Sequence, residues 1–304
     1  MDGEPPRPSP AAGILDLQRP VAHGLPIILA SPHSGTEYPA DFLAASQLDP
    51  VALRRSEDSF VDELFGAAPR LGAPLLSARF PRAYVDVNRE AYELDPSMFA
   101  DALPKFVNTA SSRVRMGFGT IARIVANGEE SYAEKLRFEE AQRRIAQLYR
   151  PYHRALRGLV EETEALFGGC LLIDCHSMPS GTDPACENSA ADIVLGDCHG
   201  VSCAPEFVEA ARRFLVERGF AVAINAPYAG GFTTGHYGRP SMQRHALQIE
   251  INRALYMNER DYQRKPHFPR LVQDLAALVD RLGRVAQRCL IGKLQDPRRS
   301  WAAD

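Results

Sequence analysis

Two short stretches of this chain, Leu25–Ala30 (LPIILA) and Cys170–Ile173 (CLLI), are almost unbroken in apolar residues, and polar residues follow each closely. A strand that is apolar on both sides has no face to give to water. It must lie inside a sheet that is covered on both surfaces. Other short runs read as strands at Pro74–Ala78, Ala83–Val87, Asp192–Gly196, Ala221–Asn225 and Ala246–Ile251, with the CLLI strand extending to Cys175. Helical spacing is clearest from Glu129 to Phe167, where Leu136, Ile145, Leu148, Tyr152, Leu156 and Leu159 recur at helical intervals. Pro151 predicts a break or kink there. Further helices are expected at Ser59–Leu71, Pro205–Arg218 and Pro269–Leu290. Strands separated by helices imply an α/β fold: a single domain with an open, mostly parallel twisted sheet flanked by helices.

That domain runs from about residue 13 to 294, between a proline-rich tail over 1–12 and a polar tail over 295–304, both too poor in apolar residues to pack. The formal charge is −3, so no concentrated positive surface is expected to attract nucleic acid. No apolar run approaches the roughly 18 residues that cross a bilayer, so no membrane partner is expected. The first residues lack the apolar core of a secretory signal, and the cysteines at 170, 175, 186, 198, 203 and 289 form no CxxC pair. Reduced thiols in a cytoplasmic protein are the expectation.

The chemistry is expected where the apolar strands end. IILA runs into Ser31-Pro32-His33-Ser34-Gly35, CLLID into Cys175-His176-Ser177, and ALQI into Glu250, Asn252 and Arg253. Ligands of open α/β sheets bind outside the carboxyl ends of the strands, so His33, His176 and Glu250 can meet in one cleft. In Ala246–Ile251, Leu247, Ile249 and Ile251 share one face while Gln248 and Glu250 share the other. A carboxylate in a central strand costs several kcal/mol unless it is neutral, paired or near a metal. Asp174 shares a face with His176 and suits a supporting carboxylate, although direct bonding between such neighbours is rare. A catalytic zinc commonly takes two His and one carboxylate, leaving a position for water; manganese, cobalt and iron suit the same donors. The carboxylate candidates near His33 are Glu37, Glu57, Asp58 and Asp62, of which Glu57 and Asp58 equally suit the first turn of a helix. No GxSxG elbow or phosphate-binding glycine loop is present, and Cys198, His199 and Cys203 lack the second pair of a structural zinc site.

SPHSGTEYP, EDSFVDELF, RAYVDVNRE, LLIDCHSMPS, ADIVLGD, NAPYAGGFTTGHYGRP and HALQIEINRALYM, in that order over roughly residues 25 to 260, resemble the N-formylglutamate amidohydrolase family. The resemblance implies a zinc-dependent amidohydrolase with a zinc-carboxypeptidase-like sheet, acting on a small N-acyl amino acid. It implies His33 and His176 as imidazole ligands, Asp58 as the carboxylate ligand with Glu57 next, and Glu250 as general base. The family often has DW where this chain has Asp58-Ser59. The implied reaction is hydrolysis of N-formyl-L-glutamate to formate and glutamate, the last step of one histidine-degradation route. Substrate carboxylates then call for cations: Arg89 first, Arg253 and Arg239 next, with Asn88 as an amide donor. The glycine-rich loop Tyr228–Pro240 suits a closing lid, and His236 within it an oxyanion donor. Two other readings stand beside this one, a metal hydrolase of another N-acyl amino acid or small peptide, and a non-catalytic carboxylate-binding homologue.

Overall fold

The computed structural model describes residues 13–125, 128–181 and 191–291. Both expected tails lie outside these residues, and so does Cys186. Seven strands form one sheet: β1 (Leu15–Gln18), β2 (Ile27–Ser31), β3 (Leu75–Ala78), β4 (Cys170–Met178), β5 (Ile193–Gly196), β6 (Val222–Ile224) and β7 (Arg244–Asn252). Their order is β1-β3-β2-β4-β7-β5-β6. The central four, β3, β2, β4 and β7, are mutually parallel; β1 and β5 each pair antiparallel with their inner neighbours, and β6 pairs parallel with β5. The α/β architecture is therefore a mostly parallel mixed sheet flanked by helices.

Helices α1 (Val61–Leu64), α2 (Arg150–Phe167), α3 (Pro205–Glu217), α4 (Phe232–Tyr237) and α5 (Phe268–Ala286) surround it. The apolar stripe of α5, built from Leu271, Leu275, Leu278, Val279 and Leu282, joins α1 and α3 over one face of the sheet. Ile27, Leu29, Leu171, Ile173, Leu247, Ile249 and Ile251 point into this layer. Tyr152, Leu156, Leu159 and Val160 of α2 pack on the other face, against Ile28, Ala30, Leu76, Leu172 and Ala246. Residues of β2 and β4 thus alternate between two apolar layers, which explains their unbroken apolar runs.

Four expectations are corrected. Ala83–Val87 is not a strand: the amides of Tyr84 and Val85 both bond the carbonyl of Pro81, so the run turns while its side chains stay buried. Ser59–Leu71 is not one helix, because Phe60 takes a left-handed conformation (φ 67°) and only Val61–Leu64 and a 3-10 turn at Ala68–Leu71 are helical. Pro151 does not break its helix. A π-turn at Ile145–Tyr149 widens the helix just before it, where the proline's missing N–H would otherwise leave a gap. The loop Tyr228–Pro240 contains α4, and Gly231 is pressed so close to Asn88 that a Cβ would lie 2.3 Å from its side-chain nitrogen. The expected loop is thus partly helical and seated against Asn88. Strand β1, unannounced by its LDLQ sequence, is a largely exposed edge.

Candidate metal centre and its cavity

At the carboxyl ends of β2, β4 and β7 the apolar side of the sheet facing α2 gives way to charge. The register between β4 and β7 sets Asp174 opposite Gln248 and His176 opposite Glu250. His33 lies two residues beyond β2, and its carbonyl accepts the Asp58 amide at 3.0 Å, which ties the loop before α1 to the strand end. His33, Asp58 and His176 are all buried. Asp58 Oδ2 lies 3.3 Å from His33 Nδ1 and 3.0 Å from His176 Nδ1, and one donor atom from each residue falls within 4.8 Å of the others. Two ligands bound at about 2.05 Å to a tetrahedral ion stand about 3.3 Å apart, so this donor set fits a divalent metal with small adjustment.

The outer nitrogen of each imidazole meets its own carboxylate. His33 Nε2 is 2.7 Å from Asp86 Oδ1, and His176 Nε2 is 3.1 Å from Asp174 Oδ1. With an ion held between the three residues, those carboxylates would favour the tautomer protonated at Nε2, which turns the Nδ1 lone pair toward the metal. Asp86 is in turn held by Arg82 at 2.8 Å, and Asp58 Oδ1 accepts from Ser177 at 3.1 Å and Arg253 at 3.3 Å. Asp174 and His176 approach as opposite charges without a formed hydrogen bond at Oδ1, in keeping with the expectation that alternating strand neighbours rarely bond directly. On β7, by contrast, Gln248 Nε2 donates directly to Glu250 Oε1 at 2.9 Å.

Charge at this depth reshapes the titrations. Burial pushes Asp58 up, but hydrogen bonds from His176 and His33 outweigh it and hold the carboxyl well below the carboxylate range. Burial would lower His176, yet Asp174, Asp58 and Glu250 raise it well above an ordinary imidazole. Glu250 is raised by burial first and by Asp58 and Asp174 next, against His176 and Arg82, to about 7. Such a carboxyl is poised to exchange a proton near neutral pH.

The cluster forms the floor of a cavity of about 530 Å3. Arg89, Arg82, Arg113 and Arg253 reach it, and Met116, Phe118 and Ile124 form an apolar wall. Arg89 is fixed by the carbonyls of Phe118 and Asn88, both at 2.9 Å. Arg253 is engaged by Asp58, Ser177 and the carbonyls of Arg55 and Glu57, so it braces the site. Asn88 Oδ1 accepts the Thr233 amide at 2.8 Å, and its Nδ2 donates to Asp174 Oδ2 at 3.4 Å. Its amide thus joins α4 to the carboxylate beside His176.

Three expected residues stand elsewhere. The Glu57 carboxylate points away from the cluster, to Tyr38 at 2.7 Å, Ser59 at 2.8 Å and Arg54 at 3.2 Å. His236 is exposed on α4 and stacked on Phe232, and Arg239 is exposed and bonded to the carbonyls of Gly235 and Gly238; neither lines the cavity. Both follow from α4 and the turn after it, where positions 235, 236 and 239 are exposed. Sequence reasoning missed Asp86, Arg82 and Arg113. The RAYVDVN motif held the first two, but reading it as a strand hid the turn that brings them inward.

A family model described as N-formylglutamate amidohydrolase matches residues 25–257. N-formylglutamate deformylase of Pseudomonas aeruginosa is 31% identical over 241 residues, covering 77% of this chain and 83% of the relative. That of Pseudomonas putida is 29% identical over 238 residues with the same coverage. The crystal structure of N-formylglutamate amidohydrolase from Ralstonia eutropha JMP134 superimposes with a TM-score of 0.85 at 39% identity, covering 91% of this chain and 99% of that one.

Proposed function

The chain belongs to the N-formylglutamate amidohydrolase family, and on that premise we propose that it hydrolyses N-formyl-L-glutamate to formate and L-glutamate, closing a route of histidine degradation. The observation that carries this reading is Glu250, a carboxyl raised to about 7 and set directly across the β4–β7 ladder from His176 of the His33–Asp58–His176 group. Those three residues would hold a divalent ion, zinc by the borderline character of two imidazoles and one carboxylate. Such an ion supplies Lewis acidity toward the formyl oxygen and lowers the pKa of water.

The side chains of this protein do the rest. Glu250 takes a proton from the attacking water as its oxygen adds to the formyl carbon. The C–N bond then breaks, and Glu250 returns the proton to the departing nitrogen. Asp86 and Asp174 keep His33 and His176 oriented, and Arg253 with Ser177 fixes the second oxygen of Asp58. Arg89, held by two backbone carbonyls, keeps its remaining N–H donors for a substrate carboxylate.

The apolar wall of Met116, Phe118 and Ile124 supports a second reading, a hydrolase of another N-acyl amino acid. A panel of formyl, acetyl and succinyl amino acids, assayed with zinc-loaded protein, separates the two. Formylglutamate is expected to give the highest kcat/KM; a better acetylated or succinylated substrate would transfer the assignment to the second reading.

A further inference from the structure

Of the five arginines that line the cavity among the described residues, Arg55 pairs with Glu129 at 2.6 Å, and three of the other four have evident work. Arg82 pairs with Asp86, Arg253 braces Asp58, and Arg89 is clamped by two carbonyls at the edge of Asp86, 3.9 Å from its carboxylate. The fourth, Arg113, is different. It is half-buried on a short turn of helix, Ser112–Arg115, whose start is capped by Ser111 and whose end is tied down by the Phe118 amide on the Arg113 carbonyl. Its backbone is therefore fixed, while its guanidinium has neither a carboxylate nor a hydrogen-bond partner among the described residues. Yet its charge is close enough to Arg89 to disfavour that neighbour's protonated form, after burial itself and the charge of Arg82.

Two guanidiniums on one cavity wall repel, and the arrangement is stabilised when anions sit between and before them. The wall beside them is apolar, through Met116, Phe118 and Ile124, and suits a short run of methylene groups rather than water. A ligand with two carboxylates joined by methylenes matches both features.

We infer that Arg113 is a specificity-determining residue: it receives the side-chain carboxylate of an acidic N-acyl amino acid, while the rigid Arg89 receives the α-carboxylate. This rests on the substrate class proposed above, and it assigns that class to one replaceable side chain. Glutamine is the sharp comparison, because it has the size of glutamate but offers an amide where the guanidinium calls for a carboxylate. A site built around such a partner rejects the analogue that lacks it.

The test compares N-formyl-L-glutamate with N-formyl-L-glutamine, and N-acetyl-L-glutamate with N-acetyl-L-glutamine, in the wild type, Arg113→Gln and Arg113→Lys. Binding of free L-glutamate and L-glutamine, followed by calorimetry, accompanies the kinetics. The wild type is expected to prefer the acid over the amide. Arg113→Gln should cut that preference by roughly 10- to 100-fold, mainly through KM, and Arg113→Lys should retain part of it. An equal loss on acid and amide, or an unchanged preference, overturns the inference. A wild type that ignores formylglutamate but prefers another acidic acyl substrate overturns only the formylglutamate reading, and the same ratio in Arg113→Gln still decides the role of Arg113.

Discussion

At the scale of the residue, the site works by giving each buried charge a partner. Four carboxylates lie within it: Asp58 at the centre, Asp86 and Asp174 behind the imidazoles, and Glu250 across the ladder. If Asp86 and Asp174 set the tautomers, Asp86→Asn and Asp174→Asn should each weaken metal binding by roughly 10- to 100-fold. Competition titration with a chromophoric chelator measures this, and unaltered affinity in both would discard the tautomer argument. Glu250→Gln should instead retain the metal and lose about 10²- to 10⁴-fold in kcat. The base must be ionised to act, so wild-type activity falls as pH drops through the Glu250 pKa. That limb should lie at or below about 7, since a bound cation favours the carboxylate further. A pH–rate profile that is flat from 5 to 8 would remove Glu250 from the role.

At the scale of the element, what could be read from the sequence divides by how local its cause is. The central strands were legible because burial on both faces writes itself as apolar continuity, and Glu250 stood out because β7 alternates so cleanly around it. The turn at 81–86 was not legible, since its apolar alternation serves packing against α2 and mimics a strand. The outward aim of His236 was equally hidden, for it depends on how α4 sits against Asn88 and His153. His153 on α2 is the joint of that arrangement, bonded to the Val87 carbonyl at 2.8 Å and the Tyr237 hydroxyl at 3.0 Å. Burial lowers its pKa to about 4. The unfolded chain binds this proton near 6.5, so between about 6.5 and 4 unfolding takes it up and stability falls as pH falls. A neutral His153 contributes roughly 3 kcal/mol above that window, lost as pH drops through it. Urea titrations from pH 4 to 7 should show a shallower loss in His153→Gln than in the wild type; parallel curves would refute the linkage.

At the scale of the whole molecule, the sheet carries two apolar layers, and the site is built where one of them ends. The same strands that fill the core on one side present acids and imidazoles on the other, so the fold cannot relax its charge without moving β4 or β7. Both of those strands are central, and β4 is buried along its whole length. The fold therefore holds its donor atoms in place before any ion arrives, and an ion that binds only the folded chain must stabilise all of it. At 100 times its dissociation constant the gain is about 2.7 kcal/mol, which for a domain of this size raises Tm by roughly 5 °C or more. Chelation should lower Tm by the same amount, and added zinc should restore it. Asp58→Asn should abolish the response while keeping the side chain's shape. His236→Ala, altered on the outer side of α4, should respond as the wild type does. A wild-type Tm indifferent to chelator and zinc alike would separate the His33–Asp58–His176 group from metal binding and leave it an ion-paired cluster.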